Sequence, residues 1–205
     1  MSGGVELRTP APFEAYLEPS PWMDFGHPDI QDHLAAYPSG DRPEEEVICA
    51  DFEFVRDDVA HSWDIQSRRV TGCASDVLRH REGICYAKSH LLAALLRGRG
   101  IPAGLCYQRL TLGDTPESGY CVHALNAVWV ESRQKWIRLD ARGNKPGVDA
   151  QFSLGEEHLA FDVRPECGEV DYGVNQTEPP APITRALEEH QDCLVLYARG
   201  LPTRL

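Results

Sequence analysis

The hydrophobic pattern changes period near the middle of the chain. Apolar residues first recur at helical spacing and later alternate or run on as they do in strands. Leu91, Leu92, Leu95 and Leu96 fall on one helical face and predict a helix over 84–99. Ala87, Ala93 and Ala94 keep it slim enough to lie inside the molecule, and Gly98, Gly100 and Pro102 end it. Pro43 opens a helix over 43–59, with Glu44, Glu45 and Glu46 at the positive end of its dipole. Shorter helices are expected over 28–37 and, capped by Ser75, over 76–80. Strands are expected over 103–112, 121–131 and 135–141, with Ser132-Arg133-Gln134 as the hairpin between the last two and 159–163 as a further candidate. The proline-rich start reads as an extended arm, strand-like over 13–17. Pro179-Pro180-Ala181-Pro182 breaks the chain before a C-terminal helix over 183–199. Helices first and antiparallel strands after make the fold class α+β rather than a doubly wound sheet.

Charge narrows the partners. Twenty basic against 32 acidic residues give a formal net charge of −12, a surface that repels phosphate backbones, so no nucleic-acid partner is expected. No apolar run approaches the ~20 residues that span a bilayer, and no basic stretch followed by an apolar one opens the chain. The seven cysteines are odd in number and show no short-spaced framework, which fits a reducing compartment. The expectation is a soluble, cytoplasmic protein without a membrane partner. Its oligomeric state is left open.

Three residues carry candidate chemistry. Cys85 follows Gly83-Ile84 at the start of the longest helix, where partial positive charge and unpaired N–H groups favour a thiolate. A buried structural cysteine is the competing reading. His123 sits in a strand, sharing a face with Cys121 and Leu125, and Asp140 ends the next strand within a few residues of it. Together they have the parts of a cysteine nucleophile, its base and the group that orients the base. Arg138 and Arg142 flank Asp140 and are open as partners for it or for a substrate carboxylate. A Cys/His metal site including Cys85, Cys106, Cys121 and His123 is an alternative, but no Cys-x-x-Cys or His-Glu-x-x-His spacing supports it. No metal or cofactor is expected.

Gly83-Ile84-Cys85-Tyr86-Ala87, the leucine-rich run after it and Gly100-Ile101-Pro102-Ala103 resemble the signature of the bacterial transglutaminase-like superfamily. His123-Ala124-Leu125-Asn126-Ala127-Val128-Trp129-Val130 is similar to its histidine strand, and Trp136-Ile137-Arg138-Leu139-Asp140-Ala141 to its aspartate strand. Phe54-Val55-Arg56-Asp57-Asp58-Val59 resembles the helix that precedes the cysteine. The Pro-Thr pair common after the aspartate is replaced by Ala141-Arg142-Gly143-Asn144, and the aromatic residue common after the histidine by Ala124-Leu125. The resemblance implies a papain-like, transglutaminase-core fold, with the nucleophile helix packed on an antiparallel sheet. It implies acyl transfer on a peptide or other amide by Cys85, His123 and Asp140, through a thioester, as hydrolysis or transamidation. Gln66 and Trp63 are the candidate side-chain oxyanion donors, and Tyr86 and Arg142 candidate substrate contacts. A binding module that has lost its chemistry is the alternative. The expected organisation is an N-terminal extension over 1–42 packing on the core, a catalytic core over 43–178, and a C-terminal segment over 179–205 belonging to the same domain.

Overall fold

A computed structural model describes residues 6–113 and 115–205; Asp114 and the first five residues of the expected N-terminal extension lie outside them. The longest helix, α4 (Cys85–Gly98), organises the rest. Its residues from Cys85 to Arg97 are all buried, so it is surrounded rather than docked by one face. Helices α1 (Pro28–Ala36), α2 (Glu44–Glu53) and α3 (Ala74–His80) each pack against it, and α1 and α3 against each other. Two short parallel strands, β1 (Ala60–His61) and β2 (Glu82–Gly83), lead up to it. A sheet ordered β5-β4-β3-β6 packs on α4 and consists of β3 (Ala103–Thr111), β4 (Tyr120–Val130), β5 (Lys135–Leu139) and β6 (Val170–Asp171). Every neighbouring pair in that sheet is antiparallel. The chain closes with α5 (Ala181–Glu189) and the short α6 (Cys193–Val195).

The polar side chains of α4 explain how its surroundings are arranged. A buried polar group needs a hydrogen-bond partner, and here backbone carbonyls from distant segments supply it. Arg97 donates to the carbonyls of Ala103, Glu18 and Thr177, each at 2.8 Å, so one guanidinium ties both flanking segments to the helix. The Asn126 amide reaches from β4 to the Ser89 carbonyl at 2.9 Å. His90 donates to the Gly72 carbonyl at 2.8 Å, and burial brings its pKa down to about 4. Lys88 donates to the carbonyls of Val59 and Arg56.

Several local expectations are corrected. Residues 13–17 form a 3-10 turn, not a strand; Phe13 and Tyr16, three residues apart, both turn towards Trp136. Helix α3 starts two residues early. Asp24 from the N-terminal segment accepts from the Ser75 backbone N–H and hydroxyl, and Ser75 lies within the helix rather than capping it. Residues 159–163 make no strand, because the Ala160 N–H is spent on the Asp140 carboxylate; the free edge of β3 is taken by β6 instead. The expected C-terminal helix is broken at 190–192, where Asp192 caps a new turn by accepting from Leu194 and Val195.

Burial, with Arg142 adding to it, lowers the Lys88 ammonium from 10.5 to about 7. The unfolded chain then holds this proton more tightly than the folded one. Stability attributable to Lys88 rises as pH climbs from about 7 to about 10.5. Urea denaturation should show the difference between wild type and Lys88→Met growing in favour of wild type across that window; a constant difference would contradict it.

Candidate active site

Backbone pairing sets the entrance to α4. His61 lies beside Gly83 in the β1–β2 pair, and the Ser62 N–H donates to the Gly83 carbonyl at 3.1 Å. The segment 61–66 is thus held next to the residues that lead into Cys85. Gly83 has no room for a side chain: a Cβ there would stand 3.2 Å from that of Ala87 and 3.1 Å from the Thr71 hydroxyl. Ile84 is the N-cap and offers no side-chain acceptor, and the first intrahelical bond runs from the Lys88 N–H to the Ile84 carbonyl. The N–H groups of the first turn are therefore free to face a ligand.

Sheet register supplies the other two residues. Asn126 of β4 pairs with Leu139 of β5, so Asp140 follows directly at the end of β5, with His123 three residues back along β4. His123 Nε2 stands 2.7 Å from Asp140 Oδ2, which leaves Nδ1 open to a second partner, and Cys85 acts electrostatically on the same imidazole. The Asp140 carboxylate is fixed by backbone donors as well: Arg142 N–H to Oδ1 and Ala160 N–H to Oδ2, both at 3.1 Å. Phe161 meets the imidazole edge-on at 5.2 Å and fixes its plane. Cys85 is 9% exposed, His123 4% and Asp140 1%. Burial alone disfavours the imidazolium, but the Asp140 and Cys85 charges and hydrogen bonds outweigh it and raise the His123 pKa to about 10. The same pairing holds the Asp140 carboxyl below its usual range against its own burial.

The remaining candidate residues are placed as follows. Tyr86 is fully buried and its hydroxyl donates to the Val122 carbonyl at 2.7 Å, anchoring α4 to β4. Arg142 is buried, with its guanidinium on Asp64 at 2.5 and 3.0 Å, so its charge is already taken. Lys145 joins the same carboxylate at 2.7 Å. Arg138 turns to Glu157 and Asp171, so neither arginine side chain pairs with Asp140. Gln66, a candidate oxyanion donor, is in the left-handed region with φ 53° and gives its amide to the Trp63 carbonyl at 2.5 Å. Exposed and so engaged, it does not point its donor at the thiol. Trp63 stacks on Tyr197, with ring centroids 4.4 Å apart and planes 11° apart. Sequence reasoning missed Asp64, Lys88 and Tyr197. The first two carried no motif, and Tyr197 lies far along the chain from the trio.

The profile of the transglutaminase-like superfamily matches residues 32–141, a stretch that contains Cys85, His123 and Asp140. The chain belongs to that superfamily. A candidate cysteine protease from Cytophaga hutchinsonii is similar at 22% identity and TM-score 0.47, over 63% of this chain and 42% of that one. The periplasmic domain of TgpA from Pseudomonas aeruginosa is similar at 19% identity and TM-score 0.43, over 62% of this chain and 45% of that one. This chain therefore spans less than half the length of each. No curated protein matches significantly. The superfamily membership agrees with the α+β architecture, in which the cysteine-bearing helix packs on an antiparallel sheet. No helix among the described residues is long and apolar enough to cross a membrane. No group of three or more His, Cys, Asp or Glu side chains among them is placed to hold a metal ion.

Two measurements check the electrostatics. NMR titration should find the His123 imidazole still protonated at neutral pH, and Asp140→Asn should bring its titration down. The stability this proton confers is complete below about pH 6.5 and is lost as pH rises through about 10. Asp64→Asn should cost about 2 kcal/mol in urea denaturation, because it leaves the buried Arg142 charge without its counter-ion.

Proposed function

We propose that this chain is a cysteine-nucleophile acyl-transfer enzyme acting on an amide bond. The observation that carries the reading is the 2.7 Å His123–Asp140 bond, with Cys85 acting electrostatically on the same imidazole. Cys85, as thiolate, attacks the carbonyl carbon; a carbon–sulfur bond forms and the carbonyl π pair moves to oxygen. The tetrahedral oxyanion is met first by the Cys85 backbone N–H at the start of α4. The carbon–nitrogen bond then breaks, and the amine leaves with the proton carried by His123. The thioester on Cys85 is resolved by water, which gives up a proton to His123 as the carbon–sulfur bond breaks and the thiolate is restored. A lysine amine in place of water gives transamidation by the same steps. Asp140 holds the imidazole in orientation and stabilises its charged form.

The substrate class is a peptide or other amide, and the site requires no cofactor. The near-complete burial of the trio favours an extended chain or a slim side chain over a bulky group. A catalytically silent binding module is the competing reading, and the intact trio weighs against it.

Cys85 in the wild type should react with iodoacetamide near neutral pH at least ten-fold faster than a free thiol, as mapped by peptide mass spectrometry. His123→Ala should abolish the excess. A Cys85 that reacts no faster than glutathione would remove the basis for an enzyme.

A further inference from the structure

The chemistry above needs a side-chain donor for the oxyanion beside the Cys85 N–H; of the two expected donors Gln66 is engaged elsewhere, and Trp63 is stacked on a third group, Tyr197. Gln66 is exposed and spent on the Trp63 carbonyl, and Arg142 is committed to Asp64. Tyr197 enters from the other end of the chain. It belongs to a wide helical turn, Leu196–Gly200, which follows α6. This segment is held across the site by several bonds. The Cys193 N–H donates to the Arg68 carbonyl at 2.9 Å. The Pro202 carbonyl accepts from the Val122 N–H, one residue from His123, at 2.8 Å. Arg109 donates to the Thr203 carbonyl at 3.0 Å.

The Tyr197 ring stacks on Trp63 and meets His61 edge-on at 6.0 Å. Both partners belong to the segment that β1 pins beside Gly83, two residues before Cys85. Its hydroxyl makes no hydrogen bond among the described residues; the core phenols of Tyr16 and Tyr86 each donate to a carbonyl, while that of Tyr107 is unpartnered as well. Resting on the acyl-transfer reading of the site, we propose that the Tyr197 hydroxyl is the side-chain donor to the oxyanion formed on the carbonyl attacked by Cys85.

The electrostatics agree. Burial, and after it the negative charge of Cys85, push the phenol's pKa up. Tyr197 thus stays protonated, a donor and not an anion, at any pH at which the thiolate works. A neutral O–H whose ring is held by stacking can meet a developing negative charge without reorganisation. The site is then completed by a segment outside the stretch that matches the superfamily.

The test uses the full chain, p-nitrophenyl acetate as acyl donor and iodoacetamide as a control. Acylation passes through an oxyanion, whereas alkylation by iodoacetamide does not. Tyr197→Phe keeps the ring and its stack on Trp63 and removes only the hydroxyl. It should slow acylation of Cys85 by about 10²-fold while leaving alkylation within about two-fold of wild type. Equal acylation rates in Tyr197→Phe and wild type would overturn the proposal and leave the acyl-transfer reading standing. An equal loss of acylation and alkylation would also overturn it, because the hydroxyl would then be supporting the thiolate. A large loss in Trp63→Phe with none in Tyr197→Phe would assign the donor to the indole instead. If wild type and Cys85→Ala release p-nitrophenolate at the same rate, Cys85 is not acylated, and the acyl-transfer reading falls together with the proposal.

Discussion

The arrangement depends on a buried helix that carries polar side chains. Helix α4 is enclosed along its length, yet it bears Lys88, Ser89, His90 and Arg97 as well as its leucines. Each ionisable group taken from water needs a partner near at hand, and the partners are carbonyls from four separate parts of the chain. What surrounds the helix is therefore specified by polar demand as much as by apolar fit. The thiol at its first residue inherits that rigidity, since the helix on which it stands is held on every side.

Much of the architecture was legible because it rests on local rules. The leucine face, the Gly-Pro stop and the strand alternation around His123 are periodic signals. They placed α4, β3, β4 and β5 to within one or two residues at most ends. Cys85, His123 and Asp140 were legible for the same reason: each sits at an end or on a face that periodicity defines. The failures occurred where a distant group overrode a local one. Asp24 took over the start of α3 from Ser75. Asp140 took the N–H that a strand over 159–163 needed. Tyr86, next to Cys85 and aromatic, reads from the sequence as a substrate contact, and its hydroxyl is bonded to the sheet.

Arg142 shows how a departure from the superfamily pattern is absorbed. Where relatives often carry a Pro-Thr pair, this chain has a buried cation. Asp64, on the segment ahead of Cys85, meets it and is itself held at a pKa of about 2, its partial burial outweighed by Arg142 and Lys145. The loop after Asp140 and the loop before Cys85 are thus clamped together by charge rather than by a rigid dipeptide. Gly143, at φ 110°, allows the chain to turn there without a Cβ crowding the Arg56 carbonyl and the Lys88 ammonium.

The three carbonyls on Arg97 have a consequence for folding order. Two of them come from Glu18 and Thr177, 79 and 80 residues away in opposite directions along the chain. Until both arrive, a guanidinium in the last turn of α4 must stay in contact with water, and the helix cannot be enclosed. Closing such long loops is slow. Cys85, at the first residue of the same helix, therefore gains its full enclosure only with Glu18 and Thr177 in place, and a nascent chain that has not yet emerged past Thr177 carries the cysteine without it.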